Sequence, residues 1–142
     1  IRSGLYLKID KGVHDEVRRA CKEFAAWART HYEFPIRLVI YIRDTYRIQA
    51  KDGDMVCGTF FWTNNRTDEP YIRLAVGDYE KLLNEEGQDN ALASILYTFI
   101  HEITHYFQWL NDVKQSDEIL EENAENDSNE VFELYASTRE HP

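Results

Sequence analysis

Hydrophobic and polar positions along this chain repeat with two different periods, and the points where the period changes divide it into elements. Between residues 13 and 31, Val13, Val17, Ala20, Cys21, Phe24, Ala25 and Trp27 recur at mostly three- and four-residue spacing, which puts apolar side chains on one face of a helix. The pattern breaks before Pro35, whose ring disfavours helical backbone in the residue ahead of it. Beyond the proline the period becomes two: Ile36, Leu38, Ile40 and Ile42 alternate with Arg37, Val39, Tyr41 and Arg43, as in a strand with one face in a core. A second strand is predicted over 55–63, after the Asp52-Gly53 turn signal, with residues 46–50 pairing to it as a hairpin. Asn64 to Pro70 consists of turn formers and charges and predicts an exposed loop. Tyr71 to Val76 predicts a third strand, and Tyr79 to Leu83 a short helix that stops before Gly87.

The strongest helical pattern runs from about Ala91 to Leu110. Leu92, Ile95, Leu96, Phe99, Ile100, Ile103, Phe107 and Leu110 form a broad apolar face, and Asp89 or Asn90 stands where a cap belongs. A polar connection, Asn111 to Gln115, leads to Ser116, an N-cap for a last helix whose inner stripe is Leu120, Ala124, Val131, Leu134 and Tyr135. The order helix, sheet, helix, helix predicts an α+β fold: an N-terminal helix, a small mixed sheet of three or four strands, and two further helices packed on it. At 142 residues the chain reads as one domain, 1–142, with no repeat or linker.

Composition narrows the function classes. With 43% apolar and 13% aromatic residues the chain has the material for a core. Sixteen basic against twenty-six acidic residues give a formal charge of −10. That argues against nucleic acid or an anionic membrane as the main partner, and favours a basic one. No run approaches the roughly 18 apolar residues of a membrane span. Cys21 and Cys57 read as buried, unpaired thiols, which suits a reducing, cytoplasmic setting.

The chemistry is concentrated in His101-Glu102-Ile103-Thr104-His105, an HExxH motif inside the strongest helix. Residues four apart share a helical face, so both imidazoles can address one metal ion, while Glu102 beside them can take a proton from a water the metal holds. Neutral imidazole suits zinc, and a catalytic zinc keeps three protein ligands and one open position. The extended HExxHxxGxxH arrangement is excluded, because its glycine and third histidine would fall on Gln108 and Asn111. A carboxylate third ligand remains, and the last helix opens with Glu121-Glu122-Asn123-Ala124-Glu125, far enough downstream for the chain to turn back across the metal. Its other acids, Asp117, Glu118, Asp127, Glu130 and Glu133, read as a solvated face. His14, His31 and His141 lack ligand spacing. Phe107 reads as core, and Tyr106 and Trp109 as either core or substrate pocket. Tyr106, Tyr135, Arg139 and His141 are all candidate donors to a developing oxyanion.

The HEITH motif followed by Glu-x-x-Ala on the next helix resembles the gluzincin metallopeptidases, and the layout is similar to the zincin-like minigluzincin and ImmA/IrrE-type domains. The layout covers most of the chain, the motif only about ten residues. The resemblance implies His101, His105 and Glu121 as zinc ligands, with Glu121 preferred over its neighbour Glu122, Glu102 as general base, and Glu125 as support for a ligand histidine. Ser128 departs from the small alanine common at its position. The implied activity is zinc-assisted hydrolysis of a peptide or protein held extended against an exposed edge strand, Tyr71 to Val76 or its neighbour. ImmA/IrrE-type proteins further imply regulated cleavage of one partner, such as a repressor. Two other functions fit the same motif: a zinc-binding interaction module without turnover, and a zinc hydrolase of a non-peptide bond.

Overall fold

A computed structural model describes residues 1–142, and it opens with a strand ahead of the first helix. Strand β1, Leu5–Ile9, has Leu5 buried, Leu7 and Ile9 half-buried, and Tyr6 and Lys8 exposed. The expected N-terminal helix, α1 (Asp15–His31), therefore comes second. It starts two residues later than its apolar pattern, because Val13 lies in the preceding turn and His14 caps the helix by accepting from the Glu16 N–H.

The remaining elements are β2 (Leu38–Arg43), β3 (Ile48–Gln49), β4 (Met55–Val56), β5 (Gly58–Phe61), β6 (Tyr71–Ala75), α2 (Tyr79–Glu86), α3 (Gln88–Leu110) and α4 (Asp117–Ala136). The predicted 55–63 strand is split at Cys57. Its first part pairs antiparallel with β3 as the expected hairpin, and its second part joins the main sheet. That sheet has the order β1-β2-β6-β5, parallel from β1 to β6 and antiparallel at β5. The fold is α+β with a mixed four-stranded sheet.

One consequence corrects the sequence reading. Tyr71 to Val76 is not an edge strand: β6 lies between β2 and β5, so its main chain is paired on both sides. The sheet's edges are β1 and β5, and it is β5, the neighbour of β6, that runs beside α3.

Leu38, Ile40, Ile42, Ile72 and Leu74 point from the sheet into a core shared with α1 and α3. Phe24 of α1 ties the helices together, meeting Phe99 of α3 and Tyr135 of α4 edge to face, each with centroids 5.1 Å apart. Cys21 is fully buried there, its thiol pushed up to about 12 by desolvation. Cys57 is only half-buried, and the two are unpaired.

Helix α3 begins three residues before its expected start. Neither Asp89 nor Asn90 caps it; both lie inside its first turn, and the preceding residue is Gly87 at φ 83° and ψ 168°. Gly87 donates its N–H to the Leu83 carbonyl at the end of α2 and accepts from the Ala91 N–H in α3. A side chain is strained at that φ, so only glycine lets the two helices abut there. At the other end, the loop 64–70 is less free than its composition suggests. Arg66 donates to the Trp109 and Leu110 carbonyls, which have no acceptor role left within the helix, and lies over the Trp109 ring. Ser116 caps α4 as expected, accepting from the Ile119 N–H at 3.3 Å. No helix is long and apolar enough to cross a membrane.

Candidate metal centre

Helix α3 is buried along Leu92, Ile95, Leu96, Phe99, Ile100, Ile103 and Tyr106, which orients its flank toward a cleft. His101 and His105 stand on that flank one turn apart, with side chains 20% and 17% exposed and rings edge to face at 4.9 Å. The turn after α3 brings α4 back across them. Glu121 Oε1 lies 2.7 Å from His105 Nε2, and Glu121 Oε2 lies 3.2 Å from His101 Nε2. One ligand atom from each residue falls within 4.8 Å of the others. Glu122, next along the helix, is outside this group and exposed.

The donor set itself suggests a cation. A carboxylate only accepts, and a neutral imidazole has one donor and one acceptor nitrogen. Each contact of Glu121 with an imidazole, at 2.7 and 3.2 Å, needs either a hydrogen on the ring nitrogen or a metal ion that takes both lone pairs. Nitrogen and oxygen ligands held at about 2.0–2.2 Å around a tetrahedral zinc would be about 3.3–3.5 Å apart; the two His–Glu121 contacts are somewhat shorter than that, and the three ligand atoms lie within 4.8 Å of one another, close enough to converge on one ion.

Glu102 lines the same cleft and is 8% exposed. Burial pushes its carboxyl up to about 7, with the Glu121 charge adding to the rise and His105 opposing it. Its neighbour on the sheet is Gly58 at the start of β5: a Cβ there would sit 3.2 Å from Glu102 Cγ and 2.8 Å from Thr98 Cγ2. The glycine thus lets the edge strand run directly beside the carboxylate. The cleft is about 650 Å³, and its lining includes the aromatics Phe60, Trp62 and Trp109 and the acids Asp112, Asp117 and Glu121.

Two further hydrogen bonds, not read from the sequence, involve Gln108. Its Oε1 is 2.8 Å from His105 Nδ1, and its Nε2 donates to the Leu120 carbonyl at 2.8 Å. The available signal was its position, three residues after His105 and hence one turn along the same flank.

The remaining sequence candidates lie elsewhere. Glu125 makes no side-chain hydrogen bond to either histidine; only its carbonyl is engaged, by Tyr97. Ser128 is fully buried and satisfies its hydroxyl on the Ala124 carbonyl, so serine fits a place where alanine is common. None of the four oxyanion candidates faces the histidines. Tyr106 is buried in the core with its hydroxyl bonded to Ile36, and desolvation pushes that hydroxyl up to about 12. Arg139 bonds Tyr135 and Glu23 against α1, and His141 pairs with Asp89. Phe107 packs against the core beside Tyr32 and Phe34, while Trp109 does double duty, packing on Phe60 and lining the cleft.

No family model matches the chain, and no curated protein or solved structure matches it.

Proposed function

We propose that the chain is a zinc-dependent metallopeptidase, with His101, His105 and Glu121 holding the ion and Glu102 acting as general base. The observation that carries this reading is the convergence of three ligand atoms from two helices, two of whose residues, His105 and Glu121, line one cleft with the buried carboxylate of Glu102. Zinc bound there supplies Lewis-acid activation of the scissile carbonyl and of the attacking water. Glu102 takes the proton of that water and delivers it to the leaving amine. Its burial beside the ligands places the carboxylate where it can accept that proton and hand it on. The free edge of β5, from Gly58 to Phe61, holds the substrate main chain extended, with Phe60 and Trp62 beside it.

Charge supports a basic substrate. Asp112 and Asp117 line the cleft outside the proposed ligand set, while its one arginine, Arg66, is engaged by the carbonyls of α3. Together with the resemblance to ImmA/IrrE-type domains, this favours cleavage of a particular basic protein, such as a DNA-binding repressor, over general digestion.

The test combines elemental analysis with hydrolysis of peptides carrying flanking lysines. Wild type and Glu102→Gln should each bind one zinc per chain, and His101→Ala, His105→Ala and Glu121→Ala should lose it. Glu102→Gln should be slower by about 10²–10⁴-fold. Turnover at the wild-type rate in Glu102→Gln would sink the mechanism. Bound zinc with no cleavage by wild type of any peptide or basic protein is what the interaction-module reading requires.

A further inference from the structure

We infer that Gln108 is a positioning residue that fixes the tautomer of His105 and the placement of Glu121 at once, so that the metal site is held by a single amide bridging α3 and α4. This deepens the metallopeptidase reading and rests on it for the presence of the ion.

The inference starts from an atom whose role is unambiguous. The Leu120 carbonyl can only accept, so the group facing it at 2.8 Å must be the amide NH2 of Gln108. That orientation leaves Oε1 toward His105 Nδ1, also at 2.8 Å. An amide oxygen can only accept as well, so Nδ1 carries the hydrogen. In the neutral ring that form leaves Nε2, 2.7 Å from Glu121 Oε1, as the lone pair an ion would take, with the Glu121 carboxylate a competing acceptor when no ion is bound. A backbone carbonyl on α4 thus decides, through one side chain, which nitrogen of a histidine on α3 is presented to the ion.

The same amide sets the opposite side of the site. Leu120 directly precedes Glu121, so the bond to its carbonyl holds the first turn of α4 at a set distance from His105. His101 has no comparable support: the only hydrogen-bond partner of its ring is Glu121. Gln108 is also only half-exposed, with both polar functions used on two different elements. Outer partners of this kind fix ring orientation and raise ligand basicity, and losing one typically weakens metal binding about 10–100-fold.

Two variants separate the two bonds. Gln108→Leu removes both, whereas Gln108→Glu keeps an acceptor for His105 Nδ1 and loses the donor to Leu120. The first readout needs no metal: long-range ¹H–¹⁵N spectra of the metal-free protein at mildly alkaline pH report which nitrogen of His105 is protonated. Wild type and Gln108→Glu should show Nδ1–H, and Gln108→Leu should shift toward Nε2–H. The second readout is competition for zinc against a chromophoric chelator, with the visible spectrum of the cobalt-substituted protein as a check on ligand geometry. Gln108→Leu should bind about 10–100-fold more weakly, with an altered cobalt spectrum, and Gln108→Glu should fall between it and wild type.

An Nε2–H tautomer in wild type, or zinc affinity and cobalt spectrum unchanged in Gln108→Leu, overturns the inference. If Gln108→Leu does not fold, the near-isosteric Gln108→Glu carries the test: its affinity must lie below that of wild type with the tautomer retained. A wild-type protein that takes up neither zinc nor cobalt defeats the metal reading itself, which the tautomer spectrum distinguishes from a failure of Gln108.

Discussion

The two faces of α3 have been built to different rules. On the core face, Ile95, Leu96, Phe99, Ile100 and Ile103 are packed, and buried hydroxyls are answered: that of Tyr106 donates to the Ile36 carbonyl and accepts from the Ile36 N–H, and that of Thr104 donates to the His101 carbonyl. On the cleft face, His101 and His105 turn ring nitrogens toward the Glu121 carboxylate, and Glu102 is buried as a carboxyl near Gly58. The first arrangement maximises stability with nothing added. The second gathers ionisable groups and buries one of them, at a cost in stability that packing alone does not require. Ionisable groups gathered on one face of a helix that is otherwise well packed mark where function is looked for.

The comparison breaks first if the core face does not hold the fold. Phe99 is fully buried between α1 and α3, and Phe99→Ala should cost about 3–5 kcal/mol in chemical denaturation. A loss below about 1 kcal/mol would mean the helices do not share this core.

The cleft face gives the next largest effect, and of opposite sign. In the metal-free protein, Glu102 has an ordinary value near 4.5 when unfolded and about 7 when folded. Between those values the folded carboxyl binds more protons than the unfolded one, so its contribution to stability is greatest below about 4.5 and is lost as pH rises through 7. The loss above pH 7 amounts to about 3 kcal/mol. Glu102→Gln should flatten this dependence and be the more stable protein at neutral pH, while losing hydrolysis. A metal-free wild type whose stability is flat between pH 5 and about 8 would show that the carboxyl is not buried at a cost.

The two faces also differ in how well they could be read from the sequence. The core face and the sheet alternation are local periodicities, so most elements follow from them, and HExxH is legible because one helical turn is a fixed distance. Strand β1 obeys the same alternation, with Leu5, Leu7 and Ile9 against Tyr6 and Lys8, but five residues give too short a period to stand out. What stayed hidden is non-local. Which strand is the edge depends on β5 turning back onto β6, and the preference for Glu121 over Glu122 comes from the resemblance alone, because the periodicity does not say where α4 docks and adjacent helical residues point about 100° apart. The part played by Gln108 needs the Leu120 carbonyl, twelve residues away, to arrive opposite it. Side-chain capping pointed to Asp89 or Asn90, and the glycine that joins α2 to α3 prevailed because its backbone alone permits the join.

The smallest effect lies at the turn that connects the two helices of the site. Asp112 is the only residue other than glycine with positive φ, at 54°, directly after α3. Its N–H bonds the Trp109 carbonyl and that of Val113 bonds Gln108, so this left-handed residue ends α3 and sends the chain back toward α4. Aspartate tolerates the conformation better than most residues but still pays for its Cβ, and Asp112→Gly should gain about 0.5–1 kcal/mol. The same residue lines the cleft with Asp117, so the gain in stability and the loss of negative charge must be separated. Asp112→Asn keeps a side chain suited to the left-handed region and removes only the charge. If the acidic wall recruits a basic substrate, both variants should cleave lysine-flanked peptides more slowly at low salt, by a similar factor, while glycine gives the larger rise in melting temperature. Equal cleavage by all three proteins would leave Asp112 a turn residue alone, and no gain from glycine would mean the turn carries no strain to relieve.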